Sequence, residues 1–184
     1  MMTRTALCAI ALGCALGVGG CFYPPNQPPL KPESTTLRLE VPYDLVWDAV
    51  NQVIKQNNYK VRAQNPSEGI IEAQATNFTS EDADCGQIKA LAGTFPVDPT
   101  VDSSAVYNFR LKPDGPEASI VNVEATFIAP LRVPFHRPRD NLCASRGLDE
   151  SRLLNEVEES ATAIRRPESQ RPSGSWRPSL LSPP

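Results

Sequence analysis

Histidine is nearly missing from this chain: His136 is the only one among 184 residues. A metal centre built from several histidines is therefore excluded. A basic excess is missing as well. Eighteen Lys and Arg stand against twenty-one Asp and Glu, a net charge of −3, which disfavours general nucleic-acid binding. No Gly-x-Ser-x-Gly or comparable nucleophile context occurs. Long apolar runs are lacking too. Ala6 to Val18 is free of charge for thirteen residues, and such a helix reaches about 20 Å against a hydrocarbon core of about 30 Å. The run then breaks into Gly19-Gly20 and Pro24-Pro25, which a spanning helix does not tolerate. What the chain does contain is 40% hydrophobic residues and nineteen prolines. That is enough for one packed core, in a length suited to one ordinary domain with tails.

The first twenty residues read as an export signal. Met1-Met2-Thr3-Arg4-Thr5 carries one positive charge, the apolar run follows, and small residues precede Cys21. The segment Val18-Gly19-Gly20-Cys21 resembles the lipobox of bacterial lipoproteins, with an aliphatic residue three places before a cysteine and small residues between. The resemblance implies cleavage after Gly20 and a diacylglyceryl group on Cys21, which becomes the acylated first residue. Small residues let an extended backbone enter a peptidase cleft, and a thiol supplies the nucleophile for a thioether. Cys14 competes as acceptor, but Ala11 stands three places before it and the apolar run would be cut short. An ordinary cleaved signal is the plainer alternative. Phe22, rather than Asp, follows the cysteine. By the sorting pattern of such lipoproteins this implies an outer-membrane location facing the periplasm, with the bilayer as the partner of acylated Cys21.

Of five cysteines, Cys8 and Cys14 lie in the signal and Cys21 takes lipid, which leaves Cys85 and Cys143. An even pair in an exported chain predicts one disulfide. A redox-active pair is the sharper reading, but such pairs sit close together as Cys-x-x-Cys.

Proline divides the mature chain. Residues 22–34 and 165–184 hold five prolines each. Both flanks are therefore expected to be extended: a tether over 21–34, starting at the lipidated Cys21, and a disordered basic tail over 165–184. Residues 35–164 are expected to form the domain. Leu37, Leu39 and Val41 alternate with Arg38 and Glu40, predicting a strand. Val46, Trp47, Val50, Val53 and Ile54 fall at helical spacing over 43–57, with Asn57-Asn58 as a stop. Tyr59, Val61 and Ala63 predict a second strand, and Ile71, Ala73 and Ala75 a third, across a turn at 65–69. Residues 77–103 show no period. Tyr107, Phe109 and Leu111, then Val121, Val123, Ala125 and Phe127, predict a hairpin about Pro113-Asp114-Gly115-Pro116. A proline-rich link leads to Cys143, and Leu153, Leu154, Val157, Ala161 and Ile164 predict a helix over 148–164.

The expected fold is α+β: a two-layer sandwich of about five antiparallel strands with two helices on one face, in the order β-α-β-β-β-β-α. That order matches the helix-grip and TATA-binding-protein-like arrangements. Residues 41–50 (VPYDLVWDAV) and 58–61 (NYKV) also resemble small envelope lipoprotein domains, such as a helix-grip accessory lipoprotein of the outer-membrane β-barrel assembly machinery. The resemblance implies an acylated, non-enzymatic accessory module and carries over no catalytic residue.

Two clusters invite a chemical reading. His136 stands near Asp140, but among Arg137 and Arg139 it reads as a surface-loop side chain. Glu81, Asp82 and Asp84 gather carboxylates, yet the glycine and closing glutamate of a calcium loop are missing, so a solvated acidic loop is expected. No catalytic residue, cofactor or metal ligand is assigned. Residues 35–164 carry 12 Lys/Arg and 19 Asp/Glu, whereas the tail repeats Arg-Pro at 166–167, 171–172 and 177–178. The reading is an anchored interaction module in envelope assembly or maintenance, meeting an envelope protein partner through its polar sheet face or its tail. The alternative is a small-molecule or lipid carrier, with Trp47, Phe109 and Phe127 lining a helix-grip cavity.

Overall fold

A computed structural model describes residues 21–25, 35–90, 93–100, 102–132 and 137–165. The signal segment 1–20, most of the tether (26–34), His136 and the tail beyond residue 165 lie outside the described residues. The elements follow the order β1 (Cys21–Tyr23), β2 (Thr36–Leu39), α1 (Tyr43–Gln56), β3 (Lys60–Asn65), β4 (Ile70–Thr76), β5 (Ala83–Asp84), β6 (Gln87–Ala90), β7 (Gly93–Pro96), β8 (Ser104–Pro113), β9 (Ser119–Leu131), β10 (Arg139–Ser145) and α2 (Leu148–Arg165).

The fold is the expected α+β sandwich. Its main sheet, however, has seven strands rather than five, in the order β3-β4-β8-β9-β10-β5 with β2 also paired to β9. All its pairings are antiparallel. The long β9 serves two neighbours along one edge: Thr36–Leu39 pairs with 119–122, and Arg139–Cys143 with 127–131. Pro130 fits in β9 because β8 begins at Ser104, opposite Ile128, so proline meets a neighbour on one side only.

Helices α1 and α2 pack on each other, and reach β8 and β9 respectively. Val46, Ala49, Val50, Val53 and Ile54 of α1 meet Leu153, Leu154, Val157 and Ala161 of α2 over Ile71, Tyr107, Phe109, Val121, Val123 and Phe127. The two periodicities mark these positions with one exchange in α1, where Ala49 is buried and Trp47 only partly so. The first helix stops where expected. Asn57 and Asn58 donate backbone N–H groups to Val53 and Lys55, and Asn58 takes a left-handed φ of +55°.

The extra strands come from segments without a readable period. In β10, Leu142 is exposed while Asn141 is half-buried and donates to the Cys85 carbonyl at 2.8 Å. Its apolar pattern thus runs against its burial. A second correction concerns β3. A bulge between Val61 and Ala63 shifts the register, so Ala63 lies opposite Glu72 and Gln64 opposite Ile71. Gln64 then bonds Asn51 of α1, and Val61 at this edge stays 42% exposed instead of entering the core.

Candidate functional site

Cysteine brings two parts of the molecule together. Cys85 and Cys143, 58 residues apart, form a disulfide. Cys143 lies in β10 opposite Phe127, and Cys85 is buried at the corner where β5 gives way to β6. The same corner is held by the pairing of β5 with the end of β10. Arg146 adds its backbone N–H to Asp82 O at 2.9 Å and its Nε to Ser80 O at 3.0 Å. The segment expected to be an acidic loop is thus pinned to the sheet on three sides.

Beyond this corner runs a second sheet of three strands, β1-β6-β7. Cys21, Phe22 and Tyr23 pair with Lys89, Ile88 and Gln87. The chain just after the candidate lipidation residue is therefore a strand, where its proline-rich continuation predicts a free tether. Phe22 and Ile88 pack against the core, while Tyr23, Gln87 and Lys89 are exposed. Gly86 makes the approach feasible. Its φ is +80°, and a Cβ there would stand 2.3 Å from the Tyr23 carbonyl oxygen and 3.2 Å from the Phe22 ring.

The start of α2 holds a buried polar network where the sequence suggests only favourable helix-start charge. Tyr107, at the centre of β8, donates its hydroxyl to Asp149 Oδ2 at 2.5 Å. Arg152 clamps Asp149, Glu156, the Tyr59 hydroxyl and Asn57. Burial, then the bond to Asp149, raises the Tyr107 phenol, which stays a donor. Burial lowers the Arg152 guanidinium, but its bonds to Asp149, Tyr59 and Glu156 outweigh this and raise it. Glu150 is buried and accepts from Ser145 Oγ at 2.7 and 2.9 Å. Burial raises its carboxyl against the opposing pull of that hydroxyl. The hollows at Tyr23–Pro25, at Tyr43 and along the outer side of α2 are lined by other residues and do not open onto these groups. The network locks α2 to the sheet. Its signal in the sequence is faint: an acidic pair in a first helical turn is ordinary on a surface too.

The other chemical candidates resolve into local structure. Asp82 accepts from the Thr79 N–H and hydroxyl, both at 2.8 Å, and Asp84 from the Gly86 N–H at 2.9 Å. Glu81 is exposed, and Asp140 is an exposed residue of β10 opposite Pro130. Among the described residues no group of three or more His, Cys, Asp or Glu is placed to hold a metal ion. Phe109 and Phe127 are fully buried; Phe127 packs edge-on against Phe78, and Trp47 stacks on Tyr43. Phe78, Phe109 and Phe127 thus belong to the core, and Tyr43 and Trp47 pack against it while partly exposed.

Opposite the helices, the sheet presents a polar face. Glu72, Asn108 and Glu124 stand in one row across β4, β8 and β9, with Arg110 and Asn122 in the next. Arg62 pairs with Glu72 at 3.1 Å and Arg110 with Glu124 at 3.9 Å. Both pairs are exposed enough for solvent to screen them. No protein-family model matches the chain, and no curated protein matches it. No helix among the described residues is long and apolar enough to cross a membrane.

Proposed function

We propose that the chain is a lipid-anchored lipoprotein of the outer membrane. Cys21 carries the acyl groups, and the α+β domain is a non-enzymatic interaction module on the periplasmic side, serving envelope assembly or maintenance. The observation that carries the reading is the Cys85–Cys143 disulfide. Such bonds persist in oxidising compartments. The disulfide joins the signal-like start and the Val18-Gly19-Gly20-Cys21 motif in favouring export. Several acyl chains on one residue exceed the marginal hold of a single chain, because each buried CH₂ contributes about 0.8 kcal/mol. The polar sheet face suits a reversible protein partner: it is broad, charged with both signs and rigidly backed by the core.

Growth with an alkyne-tagged fatty acid tests the anchor. The wild-type chain is expected to take the label and sediment with membranes. The Cys21→Ser chain should lose the label and, freed of its signal, remain soluble and folded. Label persisting on Cys21→Ser, or a wild-type chain left blank, rules the anchor out.

A further inference from the structure

We infer that the sheet β1-β6-β7 is the membrane-apposed face of the molecule, laid against the headgroups of the phospholipid bilayer that holds Cys21; this rests on the lipidation proposed above. The first argument is reach. Cys21 is both the proposed lipid-bearing residue and the first residue of β1, paired with Lys89 of β6. Opposed residues of antiparallel strands lie about 4.5–5.5 Å apart at Cα. No linker separates the anchor from folded structure, so the bilayer surface and this sheet are neighbours.

The second argument is the clamp. Gly86 accepts the Tyr23 backbone at a distance that any side chain would forbid. Its own N–H is held by Asp84, its carbonyl receives the Val97 N–H at 3.0 Å, and Cys85 beside it is bonded to β10. The strand that leads from the anchor is thereby docked on the corner that the disulfide ties to β10. The third argument is charge. Residues 35–164 carry 19 acidic against 12 basic side chains, a net negative charge that anionic lipid repels. The eleven residues of β1, β6 and β7 include no Asp or Glu and one exposed lysine, Lys89. Tyr23, half exposed, adds an amphipathic ring of the kind that sits at headgroup level.

The test is hydrogen–deuterium exchange on the acylated full-length protein in vesicles of phosphatidylethanolamine and phosphatidylglycerol, with intact mass reporting the acyl groups. Soluble Cys21→Ser mixed with the same vesicles is the reference. Peptides covering β6 and β7 are expected to exchange several-fold more slowly in the acylated protein, with β4 and β8 unchanged. A Gly-Ser spacer inserted between Cys21 and Phe22 leaves the domain sequence intact. It should keep acylation and lose the protection, as should Gly86→Val through release of β1. An acylated, vesicle-bound wild type that exchanges like the reference overturns the orientation while the anchor stands. Protection that survives the spacer overturns the clamp as its cause. A chain without acyl mass takes down the anchor, and this inference with it.

Discussion

Glu150 shows how one residue's setting departs from its type. A glutamate in the first turn of a helix ordinarily stabilises by its charge. Here burial raises its carboxyl above the ordinary value of 4.5. The native state therefore holds the proton more tightly than the unfolded chain. This group's contribution to stability is greatest below pH 4.5 and declines as pH rises through the raised native value. Glu150→Gln keeps an oxygen to accept from Ser145 and removes the titration. Urea unfolding at a series of pH values should show Glu150→Gln gaining on the wild type from pH 4.5 towards neutrality; parallel stability curves would refute the assignment. Tyr107 and Asp149 belong to the same network, and none of these roles is readable from residue type. Burial of the α2 start depends on β8 and β10 arriving from elsewhere in the chain.

At the scale of elements, what is readable follows hydrophobic period. Helices α1 and α2, strands β2, β4, β8 and β9, and the turn at Asp114-Gly115 fall where the alternation places them, because each buries one face against a single layer. The short strands β5, β6 and β7 span two to four residues, too few for a readable period, and in β10 the apolar pattern runs against burial. Their places are set by backbone pairing and by the disulfide. The period identifies β3 as a strand and sets Val61 opposite buried Ala73, but the bulge exchanges inside and outside from Ala63 onward. The disulfide closes 58 residues, and the chain-entropy account gives it about 4 kcal/mol. Replacing both Cys85 and Cys143 by Ser should lower the denaturant midpoint by a corresponding amount. Slackening should centre on β5 and β6, with α1 and β4 least affected. Unchanged stability in the double variant would show that the corner is held by its hydrogen bonds alone.

For the molecule as a whole, one face of the main sheet is covered by helices, one corner leads to Cys21, and the polar face is the surface proposed above for a partner. Arg110 and Glu124 are exposed there, and their pairing adds about 0–1 kcal/mol at most. Changing both to Ala should leave thermal unfolding nearly unmoved. It should also reduce the in-cell adducts formed by a photo-crosslinking residue at position 108. Undiminished adducts would move the partner to another surface. The sequence by itself determined the two-layer α+β design and the pairing of Cys85 with Cys143, and it marked Cys21 as the candidate anchor, because period, cysteine number and motif are local or countable. Only the tertiary structure decided that β1 lies in a sheet at Gly86 and that the α2 start is a buried polar lock. Both depend on distant backbones meeting at close range, which no local pattern of residues records.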